Sequence, residues 1–339
     1  MNNEYEKIDF FIPLHRYHPL FQSCVEAVIQ FYHPRTIYMV TSIPEIHKIK
    51  KCVPLWKIGT ETFLCFIDED TFFQSTYSLS KEEIKNRWYT YKDEQSREFG
   101  WWYQQILKLG AIKKIPEISD PFIVWDSDLI PIKKWPIYPT DTVPFFQFAL
   151  LQEKEKSFFN KMQYNDSIFN LLKLPEIYPR EPKGTFVPHH FVFHPKVIHS
   201  FIDYIENIHH PFEIHRPFEI HHPFEKKEEE RKTWMEIILS LSKKYYRFSE
   251  YKSMATFMSF YFPELLHYHP FQEYGEKGIR IRDSQEAHCF LEDLKKNLKK
   301  NTKTKEKDKS ALISYEDFCH FVKENYKEDI PSYIQVEHL

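Results

Sequence analysis

The segment that most constrains the fold is Phe122-Ile123-Val124-Trp125-Asp126-Ser127-Asp128-Leu129-Ile130-Pro131. Its first four residues, all apolar and β-favouring, read as a strand buried on both faces, as in a parallel sheet covered by helices. The run ends in two carboxylates one residue apart, and Pro131 stops the ladder. In an open α/β sheet, ligands bind outside the carboxyl ends of the strands. Residues i and i+2 of extended backbone face the same way, so Asp126 and Asp128 are expected to address one divalent ion together. Taken alone, Asp-Ser-Asp also reads as a polar turn closing a strand.

The N-terminal region supplies the rest of such a sheet. Ile8–Leu14 is an apolar strand closed by Pro13. A helix over about Pro19–Tyr32 carries Leu20, Phe21, Cys24, Val25, Val28 and Ile29 on one face, and Thr36–Thr41 is the next strand. This β-α-β unit predicts a parallel sheet. Pro13, His15 and Arg16 then fall on its ligand side as expected nucleotide contacts, although an ordinary exposed loop has the same composition. Asp68, at the end of the strand Thr62–Ile67, is a further candidate to read a base or ribose. A helix over about Ser96–Ala111 offers Arg97, Gln104, Gln105 and Lys108 beside the apolar Trp102, Ile106, Leu107 and Leu109.

The chain has 339 residues but only 6 Gly, and neither a dinucleotide fingerprint nor a P-loop occurs. A bound diphosphate therefore needs another source of positive charge. Mn²⁺ or Mg²⁺ held by one or two carboxylates and completed by phosphate oxygens meets that need. The formal charge of −3 argues against a general nucleic-acid partner, and no apolar run is long enough to span a membrane. Cys24, Cys52, Cys65, Cys289 and Cys319 include no Cys-x-x-Cys pair, which fits reduced thiols and a cytoplasmic location.

Four blocks in order carry a resemblance: Arg97-Glu98-Phe99-Gly100-Trp101-Trp102-Tyr103-Gln104-Gln105-Ile106-Leu107-Lys108-Leu109, Trp125-Asp126-Ser127-Asp128, Val187-Pro188-His189-His190-Phe191-Val192-Phe193 and Phe248-Ser249-Glu250-Tyr251. Together, over roughly residues 8–270, they resemble a family of GT-A-type glycosyltransferases found in bacteria and large algal viruses. The resemblance implies an α/β fold in one large domain, 1–275, with a mostly parallel, mixed central sheet flanked by helices. It implies transfer of a sugar from a nucleotide-diphosphate sugar, with UDP favoured by analogy, to a glycan or glycoprotein hydroxyl. In that reading Asp126 and Asp128 hold the metal, and Arg97, Gln104 and Lys108 hold phosphates and sugar. His189 and His190 face opposite sides of a strand, so only one can enter the site; a histidine on such a strand also reads as a hydrogen-bonded core residue, and the resemblance implies a metal, phosphate or acceptor contact for one of them.

Ser249-Glu250 opens a helix in capping position. Glu250 is a good first-turn residue and, by resemblance, the expected base for the acceptor hydroxyl in an inverting reaction, with Glu236 in reserve. Two other readings of the same residues are a metal-dependent phosphohydrolase and a non-catalytic sugar- or protein-binding module.

Residues 209–232 repeat His-His-Pro-Phe-Glu-Ile with a six-residue period, and the recurring proline predicts an exposed extended insertion. Residues 276–339 are expected to be a helical extension whose Lys-rich run could touch an anionic membrane surface.

Overall fold

A computed structural model of the chain describes residues 8–91, 99–135, 147–148, 158–175, 177, 186–209, 232–243, 248–266, 268–269, 278–301 and 312–337. Arg97, the proline-rich repeat beyond His209, and the second half of the lysine-rich run, at 302–311, lie outside these residues.

The strands are β1 Asp9–Pro13, β2 Thr36–Thr41, β3 Phe63–Asp68, β4 Phe122–Trp125, β5 Leu129–Pro131, β6 Gln147–Phe148, β7 His190–Phe193, β8 Tyr268–His269, β9 Ile279–Ile281 and β10 Tyr333–Val336. The helices are α1 Phe21–Tyr32, α2 Ile43–Cys52, α3 Gln74–Tyr77, α4 Lys81–Tyr91, α5 Phe99–Lys114, α6 Phe158–Leu172, α7 Pro195–His209, α8 Trp234–Ser240, α9 Glu250–Tyr261, α10 Ser284–Asn301 and α11 Tyr315–Asn325.

The central sheet has the order β3-β2-β1-β4-β7. Its first four strands are parallel, and β7 runs antiparallel to β4, pairing His190 with Trp125. This is the mixed, mostly parallel α/β architecture the sequence pattern predicts. Successive strand residues serve opposite faces, so Phe11, Tyr38 and Val124 pack with α5, α7, α8 and α9, while Phe10, Ile12, Met39, Ile123 and Trp125 pack with α1, α10 and α11. Helices cover both faces, which is why strands such as Phe-Ile-Val-Trp are apolar throughout.

Local signals set the element ends. His33 closes α1 in the left-handed region at φ 46°, and Pro34 follows it. Thr233 and Glu236 form a reciprocal capping box on α8, and the Ser249 hydroxyl accepts from the Lys252 N–H to open α9.

The C-terminal region is more than a helical extension. Its helices α10 and α11 are present and bury Phe290, Leu291, Leu294, Phe318 and Val322 in the same core as Phe10 and Ile12. It also contributes two strands: β10 lies between β5 and β9, antiparallel to the first and parallel to the second. The short alternations Ile-Arg-Ile and Tyr-Ile-Gln-Val acquire ladder partners only because β5, which leaves the Asp126–Asp128 segment, presents an open edge to them.

Candidate active site

The two acids follow β4 at the carboxyl end of the parallel strands, where the open-sheet rule expects a ligand site. The backbone between them is a turn rather than a continued strand: the Leu129 N–H donates to the Asp126 carbonyl at 3.1 Å. The expectation that both carboxylates project from one extended segment is therefore corrected, because the turn sends them to different partners. The turn itself is firmly held. The Leu129 carbonyl accepts from the Trp125 indole N–H at 2.9 Å and from the Cys24 thiol at 3.3 Å. The Asp126 N–H donates to the His189 carbonyl at 2.9 Å, and the Val336 N–H donates to the Asp128 carbonyl at 3.2 Å.

Asp126 sits at the centre of a buried charge network. Its Oδ1 accepts from Lys108 Nζ at 2.7 Å and from the Tyr251 hydroxyl at 2.9 Å. Lys108, 3 % exposed on the middle of α5, also donates to Glu250 Oε1 at 2.7 Å and to the Tyr251 hydroxyl at 3.0 Å. All three of its ammonium protons thus have acceptors. The Glu250 N–H donates to Gln105 Oε1 at 3.0 Å, tying α9 to α5. Burial alone would raise the Asp126 carboxyl, but the Lys108 charge and the His189 hydrogen bond hold it well below the usual carboxylate range. The same two carboxylates keep Lys108 charged against the desolvation that would discharge it. Burial pushes Glu250 above its ordinary value despite Lys108, and it pushes the Tyr251 phenol far up, with the Asp126 and Glu250 charges adding to it.

Asp126 Oδ2 faces His189 Nδ1 at 2.8 Å. Because Asp126 is ionised and burial lowers the His189 pKa, the imidazole is neutral with its proton on Nδ1. Nε2 then carries a lone pair, is buried, and has no hydrogen-bond partner. His189 is also held in the left-handed region at φ 62°. Such a backbone is uncommon for a non-glycine residue, and its cost persists where surrounding structure fixes it. His190, by contrast, points to the other side of the sheet and packs between the Trp125 and Trp135 rings at 5.2 and 4.9 Å, so it is a core residue.

Asp128 has a different environment. Its carboxylate receives the Gln335 side-chain amide at 3.3 and 3.4 Å. Burial, followed by the neighbouring Asp126 and Glu337 charges, pushes its pKa up to about 7. A carboxyl held up in this way gains most from an added cation. Arg280 and Glu337, ion-paired across β9 and the end of β10, stand close enough for both charges to act on Asp128 and His189.

The remaining sequence candidates fall into two groups. Pro13 ends β1 buried against Val40, and His15 and Arg16 follow it, exposed, at the same end of the sheet as Asp126. Asp68 ends β3, where its carboxylate accepts from the Asp70 N–H at 3.1 Å and the Thr71 hydroxyl at 3.2 Å. Gln104 is part-exposed on α5, and Gln105 is buried under α9. Glu236 stands apart from the cluster: it caps α8 through the Thr233 N–H and pairs with Arg87. Tyr251, Gln335, Arg280 and Glu337 belong to the same cluster and are not singled out by the sequence pattern. Only Tyr251 had a local signal, as the neighbour of Glu250 in a motif block.

A separate cleft of about 740 Å³ opens between α4 and the start of α5, lined by Asp70, Lys81, Lys85, Tyr89 and Gly100 among others. None of its lining residues belongs to the acid cluster. Gly100 and Lys108 are eight residues apart on α5, about 12 Å along the helix at 1.5 Å per residue. The candidate site is assigned to the acid cluster, because that is where buried charge and an unpartnered ligating atom occur together.

Among the described residues, no three His, Cys, Asp or Glu side chains are arranged to hold a metal ion together. The groups present fit a cation that takes few protein ligands. Asp128 is a hard oxygen donor beside a second carboxylate, and His189 Nε2 is an orphaned lone pair whose ring is oriented by Asp126. No described helix is long and apolar enough to cross a membrane.

No protein family and no curated protein sequence matches the chain. Among solved structures, it is similar to mouse xyloside xylosyltransferase 1 in its apo form, at 9 % identity with a TM-score of 0.46, over 84 % of this chain and 91 % of that one. It is also similar to a 4-diphosphocytidyl-2C-methyl-D-erythritol synthase from Anaerococcus prevotii DSM 20548, at 8 % identity with a TM-score of 0.28, over 59 % of this chain and 75 % of that one.

Proposed function

We propose that the chain is a glycosyltransferase of GT-A-like fold that uses a nucleotide-diphosphate sugar and a divalent cation, Mn²⁺ or Mg²⁺, at the Asp126–Asp128 turn. The observation that carries this reading is the pair of neighbouring carboxylates on the turn at the carboxyl end of a parallel sheet, with Asp126 holding the ring of His189 whose Nε2 has no partner. Asp128 and His189 would hold the ion, with Asp126 behind His189 as the carboxylate that fixes its tautomer. When bound, the ion supplies neutralisation of the charge that develops on the departing diphosphate.

The chain's own residues do the rest. Lys108 holds Asp126 ionised and in place, so that Asp126 can fix the His189 ring without being protonated itself. Glu250, 3 % exposed and committed through Oε1 to Lys108, is assigned to positioning Lys108 rather than to taking a proton from the acceptor. His15 and Arg16, exposed at the same sheet end, are the basic groups available to nucleotide phosphates. In the transfer, the acceptor oxygen bonds to the anomeric carbon as the bond from that carbon to the diphosphate oxygen breaks. The electron pair leaves with the nucleoside diphosphate, and the acceptor proton passes to a phosphate oxygen of that departing diphosphate or to water. UDP is the favoured carrier and a glycan hydroxyl the favoured acceptor.

A thermal-shift panel of nucleotide sugars with and without Mn²⁺ tests this reading, because a ligand that binds only the folded state raises its apparent stability. At a hundred times its Kd, a bound sugar nucleotide contributes about 2.7 kcal/mol. The reading expects a shift for at least one nucleotide sugar, lost on chelation. Shifts that ignore the metal, or none across the panel, overturn it.

A further inference from the structure

We infer that the far C-terminal strand completes the site, with Gln335 acting as the positioning residue of Asp128. The inference rests on the reading above, in which Asp128 is a cation ligand. Gln335 and Asp128 are 207 residues apart in the chain, yet the Gln335 amide reaches both oxygens of the carboxylate, at 3.3 and 3.4 Å. Register places it there: β10 pairs Gln335 with Leu129, the residue after Asp128, on one side and with Arg280 on the other. The Val336 N–H to the Asp128 carbonyl, at 3.2 Å, locks that register at the turn.

The residue type matters as much as its place. Gln335 is 1 % exposed, in a strand whose neighbours Tyr333, Ile334 and Val336 are core residues. A buried amide among apolar side chains costs free energy unless its hydrogen bonds are made. Its Nε2 is used on Asp128, and its Oε1 is buried without a partner. A packing role would be served better by an apolar side chain of the same length. A glutamate there would add another negative charge beside Asp126 and Asp128, whereas glutamine steers Asp128 by donating a hydrogen bond without neutralising it. The strand also brings Glu337, paired with Arg280, so one segment sets both the orientation of Asp128 and the charge around it. A site built in this way is finished only when β10 has docked.

The test is Mn²⁺ affinity measured by calorimetry on the full chain at pH 7.5, for wild type and for Gln335→Met, which keeps length and volume but cannot donate. Gln335→Asn, one methylene shorter but still polar, serves where the Met variant does not fold. Residues that orient a metal ligand are worth 10–100-fold in metal affinity, and that loss is expected in either variant while Tm stays within a few degrees of wild type. If wild type binds Mn²⁺ and the variants bind it equally well, Gln335 only fills space and the inference is wrong while the proposed function stands. If wild type itself binds no Mn²⁺, the proposed function fails and the inference falls with it.

Discussion

Replacing Lys108 by methionine is the most severe single change this structure identifies outside the apolar core. The ammonium is 3 % exposed and sits 2.7 Å from each of two carboxylates whose side chains are themselves 14 % and 4 % exposed. Removing one partner from a buried ion pair costs about 3–5 kcal/mol, because the charge left behind has no compensation. Here the loss divides unequally. Asp126 keeps donors in Tyr251 and His189, while Glu250 loses the side-chain donor to its Oε1. Glu250 will therefore take up a proton in the variant.

That fixes the pH dependence. In Lys108→Met the folded-state carboxyl pKa values lie above their unfolded values. The variant's stability is then greatest below the ordinary carboxylate range and falls as pH rises toward the raised folded-state values. Chemical denaturation at pH 5 and pH 7.5 should show a deficit of about 3–5 kcal/mol against wild type at the higher pH and a smaller one at the lower. Adding Glu250→Gln should recover about 1–2 kcal/mol, because no charge is then stranded on α9. A variant within 1 kcal/mol of wild type, or an equal deficit at both pH values, would show that this network does not form.

Three further outcomes are expected. His18, buried against Phe21 with its pKa lowered to about 4 from 6.5 by desolvation, must take up a proton on unfolding in acid, so stability should rise with pH between about 4 and 6.5 by about 3 kcal/mol. His18→Gln should flatten that limb in an acid-denaturation series. His189→Asn keeps a residue that tolerates the left-handed backbone but removes Nε2, so thermal stability should hold to within about 1 kcal/mol while Mn²⁺ binding by calorimetry is lost. Gly278→Ala would place a methyl 1.9 Å from the Tyr333 ring, which forces β10 or that ring to move. It should cost about 1–3 kcal/mol in urea denaturation and weaken Mn²⁺ binding through Gln335.

Much of the scaffold is written in local pattern. Continuous apolar runs marked β1, β2 and β4 as doubly covered strands, and their helical neighbours followed from 3.6-residue periodicity and from caps such as Ser249. The candidate site was legible wherever a carboxylate or base stood at an element boundary: Asp126 after β4, Glu250 at the start of α9, His189 before β7. What escaped was the pairing between distant elements. Nothing in the sequence near Lys108 says that its partner is Glu250, 142 residues on, because α5 and α9 meet only after the sheet has brought them together. Asp-Ser-Asp admits both an extended and a polar-turn reading, and the turn forms with the Leu129 carbonyl held by two donors, Trp125 and Cys24, that no local rule connects. Gln335 lay furthest from view, since glutamine in a short terminal alternation carries no signal until β5 offers its edge.

In the proposed function the Asp126–Asp128 turn binds a cation that in turn binds a diphosphate. Calorimetric titration of UDP into the wild-type chain, first with Mn²⁺ and then with excess chelator, tests it directly, with Asp128→Asn as the paired variant. Binding that requires Mn²⁺ and disappears in Asp128→Asn is the predicted result. Binding of equal strength after chelation, or unchanged binding in Asp128→Asn, would contradict it.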